Sequence, residues 1–279
     1  MDELLKIIIL GIVQGITEFL PISSNAHLII MEQLLNFQNN NEILNLVFHL
    51  GSLFAIISYF FSELLGLLKK PKIILNLIIA TLPVVIIGYF VFKFRLIDYG
   101  NFPIKIIAIT TIIFGIILFF SDKIKITKKL YADLNAKNSF IIGLFQVIAL
   151  IPGVSRSGIT LTAGRFLGYS RLDAAKFSFF LSIPTTAGAC FLGYSRLDAA
   201  KFSFFLSIPT TAGACFLGIL DLIKMDSTDF NYIAIVAFIV SFISSYLTIK
   251  YFLSFISRFN LNLFVYYRII LGVIILLFI

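Results

Sequence analysis

Residues 11–30 read GIVQGITEFLPISSNAHLII. Apolar residues surround Glu18, and a proline, paired serines and His27 follow it. A charge at the centre of a bilayer costs about 2.5–3.5 kcal/mol even on insertion scales, so an ionisable group in such surroundings marks a functional site. Proline disfavours helix in the residue before it, which stops a helix over 4–20 near Pro21. A second helix starts near Ser24 or Asn25, both good N-caps. Each piece falls short of the roughly 20 residues needed to cross a bilayer. The stretch therefore reads as a re-entrant hairpin.

The pattern occurs twice. With the chain shifted by 132 residues, LGIVQGITEFLPISS (10–24) lies over IGLFQVIALIPGVSR (142–156) without gaps. Gly11 meets Gly143, Gln14 meets Gln146, and Ser23 meets Ser155. Pro21 and Pro152 break both segments. Interrupted apolar segments at matching places in two halves point to inverted-topology repeats with a site near the midplane. The second re-entrant pair is expected over 138–152 and 157–168. The halves are about 1–120 and 138–279 of one integral-membrane domain.

Composition agrees. Of the 279 residues, 59% are hydrophobic, above the roughly 45–50% of soluble domains. Apolar runs recur along the whole length. In lipid only helices or closed barrels satisfy the backbone, and these runs are too continuous for barrel strands. The expected class is all-α and polytopic, with spans near 43–61, 73–92, 104–120, 177–193, 202–220, 230–250 and 263–279. Asp2 and Glu3 stand where a cleavable signal would be basic, so none is expected. The net charge of +8 lies mostly in short loops and reads as membrane orientation, not nucleic-acid binding. Lys69, Lys70 and Lys72 form one basic loop, and Lys123, Lys125, Lys128, Lys129 and Lys137 another. Two spans separate them, so both belong on the cytoplasmic side.

A perfect duplication interrupts the second half. Residues 166–190 and 191–215 both read FLGYSRLDAAKFSFFLSIPTTAGAC. Old repeats diverge, so this one is recent or arose in the sequence record, and removing one 25-residue copy from 279 leaves a unit of 254. Cys215 merely copies Cys190, so the cysteines carry no redox message. Two full spans in place of one would flip every later segment, against the positive-inside rule. One copy is therefore expected to fill the native span, with the other extruded or peripheral.

The two breaks concentrate the chemistry. Gln14 and Glu18 share a helix face, and Glu18 could act as a base or metal ligand. Ser23, Ser24, Asn25 and His27 follow at the start of a half-helix, whose free N–H groups and dipole suit an anion. At the second break, Gly153 and Gly158 let backbone approach a ligand, and Ser155, Ser157 and Thr160 offer hydroxyls. Arg156 adds a fork suited to phosphate. The set fits phosphoryl transfer, where positioning and charge stabilisation dominate. Blander readings are capping for the serines, snorkelling for Arg156 and a structural ion pair for Glu18. His49 reads as structural or substrate-lining. Arg171, Asp173 and Lys176 read as an interfacial charged turn.

On QGITEFLPISSNAH (14–27), PGVSRSGIT (152–160), AAKFSFFLSIP (174–184 and 199–209) and YYRIILG (266–272), the chain resembles the undecaprenyl-diphosphate phosphatases of bacterial inner membranes. Asn25-Ala26 departs from the family's usual Thr-Gly or Ser-Gly. The resemblance implies removal of the terminal phosphate of undecaprenyl diphosphate on the extracytoplasmic side, recycling a carrier for peptidoglycan precursors. It places Gln14 and Glu18 on the acidic motif, Ser23, Ser24 and His27 on the serine–histidine part, and Arg156 on the essential arginine. It implies a divalent cation, Mg²⁺ or Ca²⁺, with Glu18 either holding that ion or orienting His27. Either Ser24 or His27 is the nucleophile. Gln14, Ser23, Asn25, Gly153, Ser155, Ser157, Gly158 and Thr160 would line the substrate. The expected partners are the polyprenyl diphosphate lipid, the membrane and a second copy in a homodimer. The alternative is a transporter or flippase of an anionic lipid, since broken helices in inverted repeats are also transporter architecture.

Overall fold

The computed structural model describes residues 3–37, 42–94, 96–97, 102–194 and 228–278. Among them the regular elements are all helices: α1 (Glu3–Thr17), α2 (Ser24–Leu34), α3 (Glu42–Tyr59), α4 (Phe61–Leu67), α5 (Pro71–Lys93), α6 (Ile104–Asp122), α7 (Leu130–Asp133), α8 (Ala136–Ile148), α9 (Arg156–Phe166), α10 (Arg171–Tyr194), α11 (Thr228–Arg258) and α12 (Asn262–Phe278). Among the described residues, three helices are long and apolar enough to cross a membrane, or four if the bent α3–α4 pair is one span. Apolar side chains such as Ile86, Phe90, Ile113, Phe120, Ile239 and Ile243 face outward. On a multi-pass membrane protein these are lipid-facing groups, which need no water-excluding partner.

Among the described residues, helices recur at the expected spans with shifted ends, although α10 and α12 are not among those long and apolar enough to cross. The segment expected at 43–61 instead bends by 74° between α3 and α4. Phe60 turns inward there onto Phe179 and Phe180. The turn also brings Glu63 to Lys176 Nζ at 3.1 Å and under the hydroxyl of Tyr131. The charged turn after α9 is therefore not merely interfacial: Lys176 ties α10 to α4. The span expected at 202–220 lies outside the described residues, as does most of the second duplicate. The first copy supplies the end of α9 and the start of α10.

Small residues let the helices approach, as membrane packing requires where apolar burial gives no drive. A Cβ on Gly15 of α1 would lie 2.0 Å from Ser244 Oγ of α11, and one on Gly143 of α8 2.5 Å from the Ala80 carbonyl of α5. Ser52 of α3 meets Ser241 and Ser245 of α11 at 3.2 and 2.9 Å. The two expected basic loops meet at one end of the bundle, where Lys70 Nζ sits over the Tyr131 ring at 4.3 Å. At that same end Asp122 accepts from Arg171 Nε at 2.6 Å and from the backbone N–H of Leu261 at 3.1 Å. Thus α10 leaves the basic end and α11 returns to it.

Candidate active site at two helix breaks

The first break lies between α1 and α2. Helix α1 ends at Thr17, three residues before the expected stop, and Glu18 occupies the turn with its N–H still bonded to the Gln14 carbonyl at 2.9 Å. Ser23 caps α2 at φ 74°; Ser155 caps α9 at φ 71°. These are left-handed conformations that a non-glycine residue rarely adopts. They fall on equivalent positions of the 132-residue shift. Gly153 also has a positive φ, of 91°, and a Cβ there would lie 2.2 Å from Thr110 Oγ1. Only glycine fits so close to α6.

The two breaks touch through charge. Arg156 Nη2 donates to Glu18 Oε1 at 2.6 Å. Ser24 Oγ donates to Glu18 Oε2 at 2.9 Å, and Gln14 Nε2 donates to the same oxygen at 3.0 Å. Gln14 Nε2 also lies 2.9 Å from His49 Nδ1, which is 3.6 Å from Glu18. His49 thus joins this cluster, although its own segment reads as an ordinary apolar helix. A buried carboxylate survives when paired and hydrogen-bonded, and Glu18, 8% exposed, has four polar neighbours.

His27, three residues on from Ser24, has other partners. Its Nδ1 lies 2.6 Å from the Ser23 carbonyl and its Nε2 2.5 Å from the Tyr267 hydroxyl. Ser24 gives its proton to Glu18 and not to His27.

The remaining predicted residues divide. Asn25 is exposed on the first turn of α2, and Ser23 makes no side-chain cap bond. Ser155 Oγ caps Gly158 N–H at 3.1 Å. Ser157 Oγ crosses to the first break and donates to the Leu20 carbonyl at 2.8 Å. Thr160 is one turn into α9, with its hydroxyl 2.6 Å from Ser178 Oγ.

Arg268 of α12 received no role from its sequence. It is fully buried, and it donates to four carbonyls: Thr111 at 3.0 Å, Pro21 at 3.1 Å, Gly153 at 3.0 Å and Val154 at 3.1 Å. One guanidinium therefore ties both breaks to α6. Its apolar surroundings were the available signal, the same one that singles out Arg156. Its partners are backbone atoms, which no side-chain pattern reveals.

A divalent cation can be weighed against these donors. Among the described residues no three His, Cys, Asp or Glu side chains gather as a metal site. Gln14 Oε1, however, is buried with no hydrogen-bond partner beside the Glu18 carboxylate. One carboxylate and one amide oxygen suit a hard cation that takes its other ligands from phosphates and water.

The family profile described as Bacitracin resistance protein BacA matches residues 7–192 and 185–274. An undecaprenyl-diphosphatase of Pelagibacter ubique (strain HTCC1062) is 44% identical over 278 residues, covering 100% of this chain and 98% of the relative. Relatives with the same description from Campylobacter curvus (strain 525.92) and Thermodesulfovibrio yellowstonii (strain ATCC 51303 / DSM 11347 / YP87) are 37% and 38% identical, with 98% and 99% of this chain and 98% of each relative covered. With both motif segments and nearly the whole length inside these matches, the chain belongs to the BacA bacitracin resistance protein family.

Proposed function

We propose that the chain hydrolyses undecaprenyl diphosphate to undecaprenyl phosphate and inorganic phosphate at the two breaks. The observation that carries this reading is the Ser24–Glu18–Arg156 constellation, which sets a hydroxyl, a proton acceptor and a phosphate-binding fork side by side. The descriptions of the relatives support the substrate. The N-terminus of α2, whose cap residue makes no side-chain bond, leaves amides for a phosphate.

In this reading Ser24 Oγ attacks the terminal phosphorus while Glu18 Oε2 accepts its proton. The bond from phosphorus to the bridging oxygen breaks, and undecaprenyl phosphate leaves with that oxygen and its electron pair. Arg156 stabilises the transferring phosphoryl oxygens. Water then attacks the phosphoserine and passes a proton to His27 Nε2. Ser24 recovers its proton from Glu18 as phosphate departs. Glu18 and Gln14 Oε1 would hold Mg²⁺ or Ca²⁺. Such an ion, when bound, supplies charge neutralisation at the phosphates.

The two halves are read as inverted repeats with re-entrant hairpins. Supporting this, contacts exchange between halves: α1 packs on α11 as α8 packs on α5, and α3 meets α11 as α10 meets α5. The basic end is assigned to the cytoplasm of the inner membrane, with the site opening on the other side. A homodimer belongs to the same reading, and cross-linking in membranes tests it.

Phosphate release from undecaprenyl diphosphate by purified, detergent-solubilised protein tests the activity. No release, alongside lipid movement in vesicles, would favour transport instead. Trapping the phosphoryl adduct should place it on Ser24; an adduct on His27 would exchange the roles of the two residues, and an adduct on neither, with both alanine variants active, would sink the mechanism.

A further inference from the structure

We infer that Tyr267 is a positioning residue for His27, holding its ring in one tautomer with the basic nitrogen at the mouth of the site. The inference rests on the phosphatase reading for its catalytic meaning, but its geometry stands alone. The Ser23 carbonyl 2.6 Å from His27 Nδ1 can only accept, so Nδ1 carries the proton. In the neutral ring Nε2 is then the acceptor, and the Tyr267 hydroxyl, 2.5 Å away, donates to it. The rings lie nearly parallel, at 11° with centroids 5.6 Å apart. Stack and hydrogen bond together leave the imidazole one orientation.

The two partners of His27 come from opposite ends of the chain. Ser23 belongs to the first break, whereas Tyr267 belongs to α12, next to Arg268, which donates to the Pro21 carbonyl and to the Gly153 and Val154 carbonyls of the second break. Helix α12 therefore reads both breaks with one residue and orients the histidine with the next. This gives the last helix a part in the chemistry, where a span would otherwise serve only as packing. Tyr267 is 40% exposed, so an incoming phosphate or water can take the place of its hydroxyl at Nε2.

The test is Tyr267→Phe, which keeps the ring stack and removes only the hydroxyl. The chain has two histidines, His27 and His49, so carbethoxylation mapped by mass spectrometry carries its own control. Freed of its donor, His27 should be modified about fivefold faster, the factor of one ordinary hydrogen bond, with His49 unchanged. With undecaprenyl diphosphate, kcat should fall about fivefold at an unchanged KM. In a His27→Asn background the second substitution should add nothing. Unchanged modification of His27, an unchanged kcat, or full additivity with His27→Asn overturns the assignment. If the wild-type protein shows no turnover, the phosphatase reading fails separately, and the modification rate alone decides whether Tyr267 holds His27.

Discussion

Glu18 is the residue on which the site converges. It takes hydrogen bonds from Gln14, Ser24 and Arg156, of which only Arg156 comes from the second break. Arg156→Lys keeps the charge but loses the planar fork. Removing a donor of this kind typically lowers turnover by about 10²–10³. That loss is expected here with normal membrane insertion, and near-normal phosphatase turnover in the lysine variant would remove Arg156 from the mechanism. Glu18→Gln should abolish activity, because an amide neither accepts the Ser24 proton nor pairs with Arg156. Gln14→Glu should be tolerated and should reach half-maximal activity at lower divalent cation, since a second carboxylate beside Glu18 is relieved by a bound cation. A cation titration of the two variants checks both expectations. An inactive Gln14→Glu beside an active Glu18→Gln would reverse the assignment.

At the scale of elements, the breaks are held open by their neighbours. Proline ends each first helix, but α6 and α12 set where the loose backbone goes. Thr110 Oγ1 donates to the Pro152 carbonyl at 2.8 Å, and Arg268 serves four more carbonyls. Buried carbonyls without donors are costly in lipid. Lysine at 268 has three donors on a single point and cannot reach four acceptors spread around a guanidinium. Arg268→Lys should therefore destabilise the protein by roughly 3 kcal/mol, the loss of about two bonds to a charged donor. Thermal unfolding in detergent measures this, and an unchanged midpoint would show that the breaks do not depend on α12. Because Arg268 touches the backbone of both breaks, activity should fall along with stability.

For the whole molecule, the duplication bears on the topology of the helices that follow it. The first copy enters α10, which packs on α9, α3 and α5. The described chain resumes at Thr228 and brings α11 back to the basic end, with Leu261 bonded to Asp122. The first copy thus supplies most of α10. Deleting residues 191–215 should retain or improve folding and activity, and loss of the folded protein would show that the second copy is integral. Asp226→Cys and Arg258→Cys report the orientation of the tail. Labelling of position 226 from outside and of 258 from the cytoplasm is expected; the reverse pattern would mean that the second copy crosses the membrane and flips α11 and α12.

The sequence by itself determined the all-helical membrane class and the positions of both breaks. It also singled out Glu18 and Arg156. Those signals are local: charges stand out in apolar runs, and proline acts on its immediate neighbours. The 132-residue correspondence was legible for the same reason, and the matched positive φ values at Ser23 and Ser155 fall where it places them. Tertiary structure alone decided which groups meet. Ser24 and His27 are three positions apart and look like a pair, yet the turn sends one to Glu18 and the other to Tyr267, 240 residues away. His49 reads as structural or substrate-lining, and its partner emerges only when α1 places Gln14 against it. The bend at Phe60 has neither proline nor glycine to announce it, and it sets Phe60 on Phe179 and Phe180 and Glu63 beside Lys176 across the bundle. Arg268 finds three of its four acceptors on backbone that is free only because two other segments are broken. Such partners are set by the packing of distant helices, and no spacing along the chain encodes that geometry locally.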